Sequence, residues 1–180
     1  LDALEARHAR GESVRDVAGV ASFFVSRVDT LVDSKLPEQS SLRGKAGVAN
    51  AKVAYANFER VFSGDRWQAL RDAGARVQRP LWASTSTKDP SYRDTIYVEE
   101  LIGPDTVNTM PTVTVEAWLD HGEPRAGTIG EDVEGARKVF AELDAAGVDF
   151  DAVTAQLLRE GVDKFEAAFT ELLATVGGKK

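Results

Sequence analysis

The chain has 180 residues, 43% of them hydrophobic, with 22 Lys and Arg against 29 Asp and Glu for a net charge of -7. That size and content suit one soluble globular unit or part of one, and the negative balance argues against nucleic acid or anionic lipid as a partner. With no cysteine in the sequence, disulfides, thiolate catalysis and zinc-thiolate sites are excluded, and a cytoplasmic setting is expected.

Taken from its first residue, the sequence opens on LDALEARHARG, which has the composition of a helix already under way and no initiating methionine. A truncation is the expectation. The longest mainly apolar run, 17 to 25, is well short of the roughly 18 residues that span a bilayer, and no targeting segment opens the chain. No membrane partner is therefore expected. A first buried strand is predicted at 18 to 25 (AGVASFFV), apolar and β-branched and followed by helix-compatible sequence. The clearest helix is predicted from Lys45 to Phe62, where Ala51, Ala54, Phe58, Val61 and Phe62 recur at helical spacing and Gly64 ends the run. A shorter helix is predicted from Asp65 to Ala73, a second strand at 81 to 85 (LWAST), a helix at 94 to 102 and a third strand at 106 to 110 (TVNTM). Pro111 then sets the first turn of a helix over 112 to 120.

Residues 122 to 130 (GEPRAGTIG) are the one linker-like stretch. Thr128, three residues before Glu131, suggests a capping box for a helix over 131 to 146, with Val133, Ala136, Phe140 and Leu143 on one stripe. Helices are also predicted over 149 to 160 and, with Val162, Phe165, Phe169, Leu172 and Val176 on one face, up to Gly177. Gly147 and Gly161 read as breaks, and Gly177 to Lys180 as a natural terminus. No fixed-period repeat or sustained heptad is evident. Strands alternating with helices point to an α/β fold with a buried parallel sheet. Three strands cannot close a barrel, so a (β/α)8 parent would be represented by well under half its sheet.

Chemistry-bearing motifs are few. His8 and His121 lack carboxylate partners at metal-ligand spacing, and neither a Walker-type loop nor a GxGxxG after a strand occurs. The signals lie at strand ends. In VASFFVSRVDT, Ser22 falls within the first strand and Arg27 just beyond it, where a parallel barrel places its functional loops. Arginine suits a phosphate clamp because its planar fork meets two oxygens and its charge does not titrate away; the alternative is a surface pair with Asp29 or Asp33.

In LWASTSTKDP, Ser84, Thr85, Ser86 and Thr87 crowd a strand end ahead of Lys88. Hydroxyls and a cation there could hold a phosphate, or form a Ser/Thr turn with a solvated lysine. Lys88 as an imine-forming amine is disfavoured by the adjacent Asp89-Pro90 step, which predicts a wet loop rather than a desolvating pocket. Phe23, Phe24, Phe58, Phe62, Trp67 and Trp82 read as core rather than as a sugar-stacking platform, and no carboxylate pair stands out as an acid/base dyad.

Taken together, VASFFVSRVDT, GKAGVANAKVAYANFERVF, QRPLWASTSTKDPSYRDTIYVEELIGP and DTVNTMP, in this order and over nearly the whole chain, resemble the long bacterial form of transaldolase. The resemblance implies the C-terminal part of a (β/α)8 TIM-type barrel over 1 to 121, with a helical segment over 122 to 180 packed on it. It also implies transfer of a dihydroxyacetone unit from sedoheptulose 7-phosphate to glyceraldehyde 3-phosphate through a lysine Schiff base, without cofactor or metal. Ser22 and Arg27 match the family's S-x-F-V-x-R motif, whose serine lines the site and whose arginine binds substrate phosphate. Ser84 matches the serine of the A-S-x-[RK] motif. Ser86 stands in place of that motif's basic residue and a lysine comes only at Lys88, which leaves the role of Lys88 open.

The family's Schiff-base lysine motif, of the kind K-[IL]-[PA]-[AS]-T, does not occur in these residues, nor do its acid/base carboxylates. No catalytic residue is therefore expected in this chain, which would need the missing N-terminal half of the barrel as partner and would be inactive alone. A related fructose 6-phosphate aldolase and a noncatalytic sugar-phosphate-binding module are the alternative readings, and a homo-oligomer is compatible with the transaldolase reading.

Overall fold

A computed structural model describes residues 1–178; the expected terminus at Lys179 and Lys180 lies outside the described residues. The sheet has three strands, β1 (Val20–Phe24), β2 (Arg79–Ala83) and β3 (Val107–Asn108), parallel and in sequence order. Ser22 stands opposite Leu81, Phe23 opposite Trp82, and Leu81 opposite Val107. All three strands are displaced from or shorter than expected. Val25 already belongs to a helix, Ser84 and Thr85 lie past the end of β2, and 106, 109 and 110 lie outside the two-residue β3.

Helix α1 (Asp2–Ala9) precedes β1; α2 (Val25–Asp33), α3 (Ala46–Val61) and α4 (Asp65–Asp72) lie between β1 and β2, α5 (Ile96–Glu99) lies between β2 and β3, and α6 (Thr112–His121) follows β3. After β3 and α6 come a single 3-10 turn (Thr128–Gly130), α7 (Val133–Ala145) and α8 (Phe150–Gly177). Strands alternating with helices, as expected, thus form part of an α/β barrel. Among the described residues no helix is long and apolar enough to cross a membrane.

The two sheet faces differ sharply. Side chains alternate along a strand, so Phe23 and Trp82 share one face, and their rings meet at 5.6 Å between centroids. Trp82 is fully buried there with Val25, Ala51, Tyr55, Tyr97, Leu101 and Ile129. Its indole N–H donates to the Leu101 carbonyl at 3.2 Å, satisfying the polar tip of a ring packed under helices. The opposite face carries Val20, Ser22 and Phe24, which are exposed, and Leu81, Ala83 and Val107, which are partly so. Phe24 is therefore not the core residue its position in an apolar run suggested. Parallel sheets are ordinarily covered on both faces, and here, among the described residues, one face is buried and the other is largely exposed.

Two aspartates lock the helical layer. Asp29 accepts from the Tyr97 hydroxyl at 2.5 Å and from the Gly47 N–H in the first turn of α3 at 2.7 Å. A Cβ at Gly47 would lie 2.8 Å from both the Asp29 carboxylate and the Val25 carbonyl, so the close approach of α2 and α3 requires glycine. Asp33 accepts from the Gly44 N–H at 3.0 Å and the Tyr92 hydroxyl at 2.8 Å. On α3 the buried stripe runs through Gly47, Ala51 and Tyr55, and Val61, expected on the packed face, is exposed.

A second core joins Val28 and Val32 of α2 to Leu143 of α7, Val148 and Val153 of α8. Thr128 does not cap α7. It is fully buried, donates to the Glu99 carbonyl at 2.6 Å and accepts from the Ile102 N–H at 3.1 Å. The cap is Asp132, whose carboxylate accepts from the Gly135 N–H at 3.0 Å. Gly161 breaks nothing, since α8 runs through it without interruption.

Candidate functional site

The expected site residues lie where the strands end. β1 passes into α2 without a loop, which leaves Ser22 on the bare sheet face and sets Arg27 in the first turn of the helix. Ser84 follows β2 directly in a left-handed conformation, φ 54°, a geometry that costs a non-glycine residue on the order of 1 kcal/mol. That turn aims the Ser84 carbonyl at the Ser26 N–H, 3.0 Å away, and so ties the end of β2 to the start of α2. The neighbouring Thr85 is fully buried and donates to the Thr109 carbonyl at 2.8 Å, fixing the ends of β2 and β3 to each other. Thr85 is thus a structural hydroxyl, and the exposed Lys88 reaches back to donate to Ser86 Oγ at 2.8 Å.

Arg27 stands in no ion pair among the described residues, although Asp29 and Asp33 are near in sequence. Both aspartates are buried and committed to Tyr97, Gly47, Tyr92 and Gly44, so the surface pair with Arg27 does not form. Instead its guanidinium lies over the Phe24 ring, 4.6 Å from the centroid, a contact that positions the cation and leaves its charge uncancelled. Lys88 likewise has no carboxylate partner among the described residues. Arg27 lines two adjoining cavities. One, of about 530 Å³, also holds Ser22 and Phe24, and the other, of about 350 Å³, also holds Lys88 and Ser26.

Asp29 faces a third cavity, of about 370 Å³, with Asp33, Arg43, Lys88 and Tyr92. Burial pushes its carboxyl up to about 6, against the opposing pull of the Tyr97 and Gly47 hydrogen bonds. The Tyr97 hydroxyl is raised as well, by burial and then by the charge of Asp29. Sequence reasoning considered Asp29 only as a surface partner of Arg27. The signal that could have placed it is its spacing, since Asp29 and Asp33 sit at i and i+4 beside Val28 and Val32 on the inward stripe of α2.

Of the other titratable groups, Lys52 on α3 is buried and paired with Glu100 at 3.0 Å. It faces the groove that α3 forms with α7, lined also by Val48 and Val139. His121 is exposed, bonded to Asp94 at 2.8 Å and Asp120 at 3.1 Å. Among the described residues no group of three or more His, Cys, Asp or Glu is placed to hold a metal ion.

This arrangement can hold an anion: two unneutralised cations from separate strand ends converge beside hydroxyls at the C-terminal edge of a parallel sheet. Residues 1–176 match the family model for Transaldolase/Fructose-6-phosphate aldolase. The chain is 53% identical to "Transaldolase" of Frankia alni over 92% of its own length and 46% of that relative. It is 52% identical to "Transaldolase 2" of Streptomyces avermitilis, over 96% of this chain and 48% of the relative. With "Transaldolase" of Mycolicibacterium smegmatis it shares 50% identity over 99% of this chain and 50% of the relative. The chain spans about half the length of the curated relatives it matches.

Proposed function

The chain belongs to the transaldolase/fructose-6-phosphate aldolase family, and from that premise we propose that it forms the phosphate-binding side of a transaldolase active site. The observation that carries this reading is the convergence on one cavity of Arg27, just past β1, and Lys88, in the loop after β2, both without carboxylate partners among the described residues. Arg27 takes the terminal phosphate of a sugar phosphate with its fork, and Lys88 adds charge from the facing loop. Ser22 on the bare sheet face and Ser84 at the strained strand end supply hydroxyls. Residues 1 to 121 form the barrel portion and the described residues from 122 onward the helical segment packed on it, in a cytoplasmic enzyme.

The reaction is transfer of a dihydroxyacetone unit from sedoheptulose 7-phosphate to glyceraldehyde 3-phosphate. A lysine amine outside these residues condenses with the donor ketone, releasing water and forming an imine. The imine draws electrons as the C3–C4 bond breaks and the C4 hydroxyl gives up its proton to a base outside these residues, erythrose 4-phosphate leaves as the aldehyde, and the resulting enamine attacks the acceptor aldehyde, whose oxygen takes up a proton. Hydrolysis of the new imine then releases fructose 6-phosphate and regenerates the amine. This chain's part is to fix the phosphate so that the reacting carbons meet the amine in a set orientation.

A transfer assay with the full-length polypeptide tests the reading. Formation of erythrose 4-phosphate from sedoheptulose 7-phosphate and glyceraldehyde 3-phosphate, with free dihydroxyacetone a poor donor, is the expected result. Efficient use of free dihydroxyacetone would identify a fructose 6-phosphate aldolase instead, and sugar-phosphate binding without turnover would mean a noncatalytic module.

A further inference from the structure

The cavity shared by Arg27 and Lys88 is closed by an element that the site motifs do not include. Its remaining wall is α8, which contributes Leu157, Glu160 and Lys164. Helix α8 is anchored on α2 through the fully buried Val153, and Lys164 comes about three turns later. Three cations from three separate elements thus line one cavity of about 350 Å³ against a single carboxylate, that of Glu160. In a chain of net charge -7 this is a local reversal of sign.

The lone carboxylate does not neutralise the pocket firmly. Glu160 accepts from the Gln156 side chain at 2.8 Å, whereas Lys164 Nζ stands 3.7 Å from Glu160, beyond hydrogen-bond reach. Lys164 is therefore free to leave Glu160, which keeps Gln156 as partner. Ser26 also lines the cavity, and its hydroxyl is buried with no hydrogen-bond partner among the described residues. Buried hydroxyls are nearly always paired, so an orphan here marks a place where a further polar partner is called for.

We propose that α8 completes the phosphate pocket, with Lys164 as a third cationic ligand that engages the substrate's terminal phosphate opposite Arg27 and Lys88. The inference rests on the phosphate-binding reading of Arg27 and adds a ligand to it. Bound phosphate then bridges α2 and α8, so ligand occupancy and the docking of α8 are coupled: each strengthens the other by the same factor.

The test is titration of the full-length polypeptide with inorganic phosphate, in wild type and in Lys164→Gln, Lys164→Arg and Arg27→Ala variants. Hydrogen exchange of the α8 backbone is read in parallel. Lys164→Gln is expected to weaken phosphate about three- to tenfold, as for loss of one charge-assisted contact at a half-open site, and Lys164→Arg to restore most of it. Phosphate is expected to slow exchange over residues 158 to 166 in wild type and not in Lys164→Gln.

Unchanged affinity in Lys164→Gln, with Arg27→Ala strongly weakened, would overturn the role of α8 and leave the Arg27 reading standing. Unchanged affinity in all three variants would overturn both. Equal weakening in the Gln and Arg variants accompanied by a lower melting temperature would also overturn the proposal, because it would mean that Lys164 acts through packing.

Discussion

Arg27 is held over the Phe24 ring, 4.6 Å from its centroid, an arrangement that positions a guanidinium while leaving all its donors available to a ligand. Removing it by Arg27→Ala should raise KM for phosphorylated substrates about 10- to 100-fold, equivalent to ~1.5–3 kcal/mol of charge-assisted binding. Steady-state kinetics on the full-length enzyme check this, and unchanged constants would remove Arg27 from the site. Its place beyond a strand was legible in SFFVSR. Its freedom from Asp29 and Asp33 was not, because spacing along the chain is silent on which tyrosine or glycine a carboxylate meets across the fold.

Asp29 carries a second consequence. The folded chain keeps its proton to about pH 6, whereas the unfolded chain releases it near 3.8. Its contribution to stability is therefore fully present below pH 3.8 and lost as pH rises through 6. Asp29→Asn removes this titration, so the stability of the variant relative to wild type should rise by on the order of 2–3 kcal/mol between pH 4 and pH 7. Urea unfolding across that range measures it, and parallel curves for the two proteins would contradict the assignment.

Among the elements, most helix ends were placed at least as closely as the strand ends, and the misses have physical reasons visible at particular positions. The shift from strand to helix at Val25 leaves no turn signal, because β1 enters α2 directly. The expected helix over 94 to 102 shrinks to α5 (Ile96–Glu99). There Glu99 is taken up by Arg93, Thr95 and the Glu123 N–H, and these bonds, with Arg93 foremost, hold its carboxyl down at about 2.

Thr128 looked like a helix cap because a glutamate follows at the right interval, yet it serves the backbone of 99 and 102 instead. Thr128→Val keeps the shape and orphans both groups, so it should destabilise the fold by about 1–3 kcal/mol in denaturant unfolding. A change within ~0.5 kcal/mol would mean that these hydrogen bonds contribute little. Gly161 failed as a break because a solitary glycine costs a long helix only about 1 kcal/mol, which the remaining turns of α8 absorb.

At the scale of the molecule, helices bury one face of the sheet and leave Val20, Ser22 and Phe24 exposed on the other, while α8 exposes Leu158, Val162, Phe165, Phe169, Leu172 and Val176 along one side. The strand count that cannot close a barrel was readable from the alternation of segments. The bare face was not, since VASFF lacks the apolar-polar alternation that marks a one-sided strand. The proposed reading assigns the imine-forming lysine to a part of the enzyme outside these residues, facing that open sheet.

Borohydride reduction of the full-length polypeptide in the presence of fructose 6-phosphate, followed by mass mapping of the adduct, tests this most directly, because reduction makes the imine permanent. The account predicts one stoichiometric adduct on a lysine outside residues 1 to 180. An adduct on Lys88, or none at all, would contradict it.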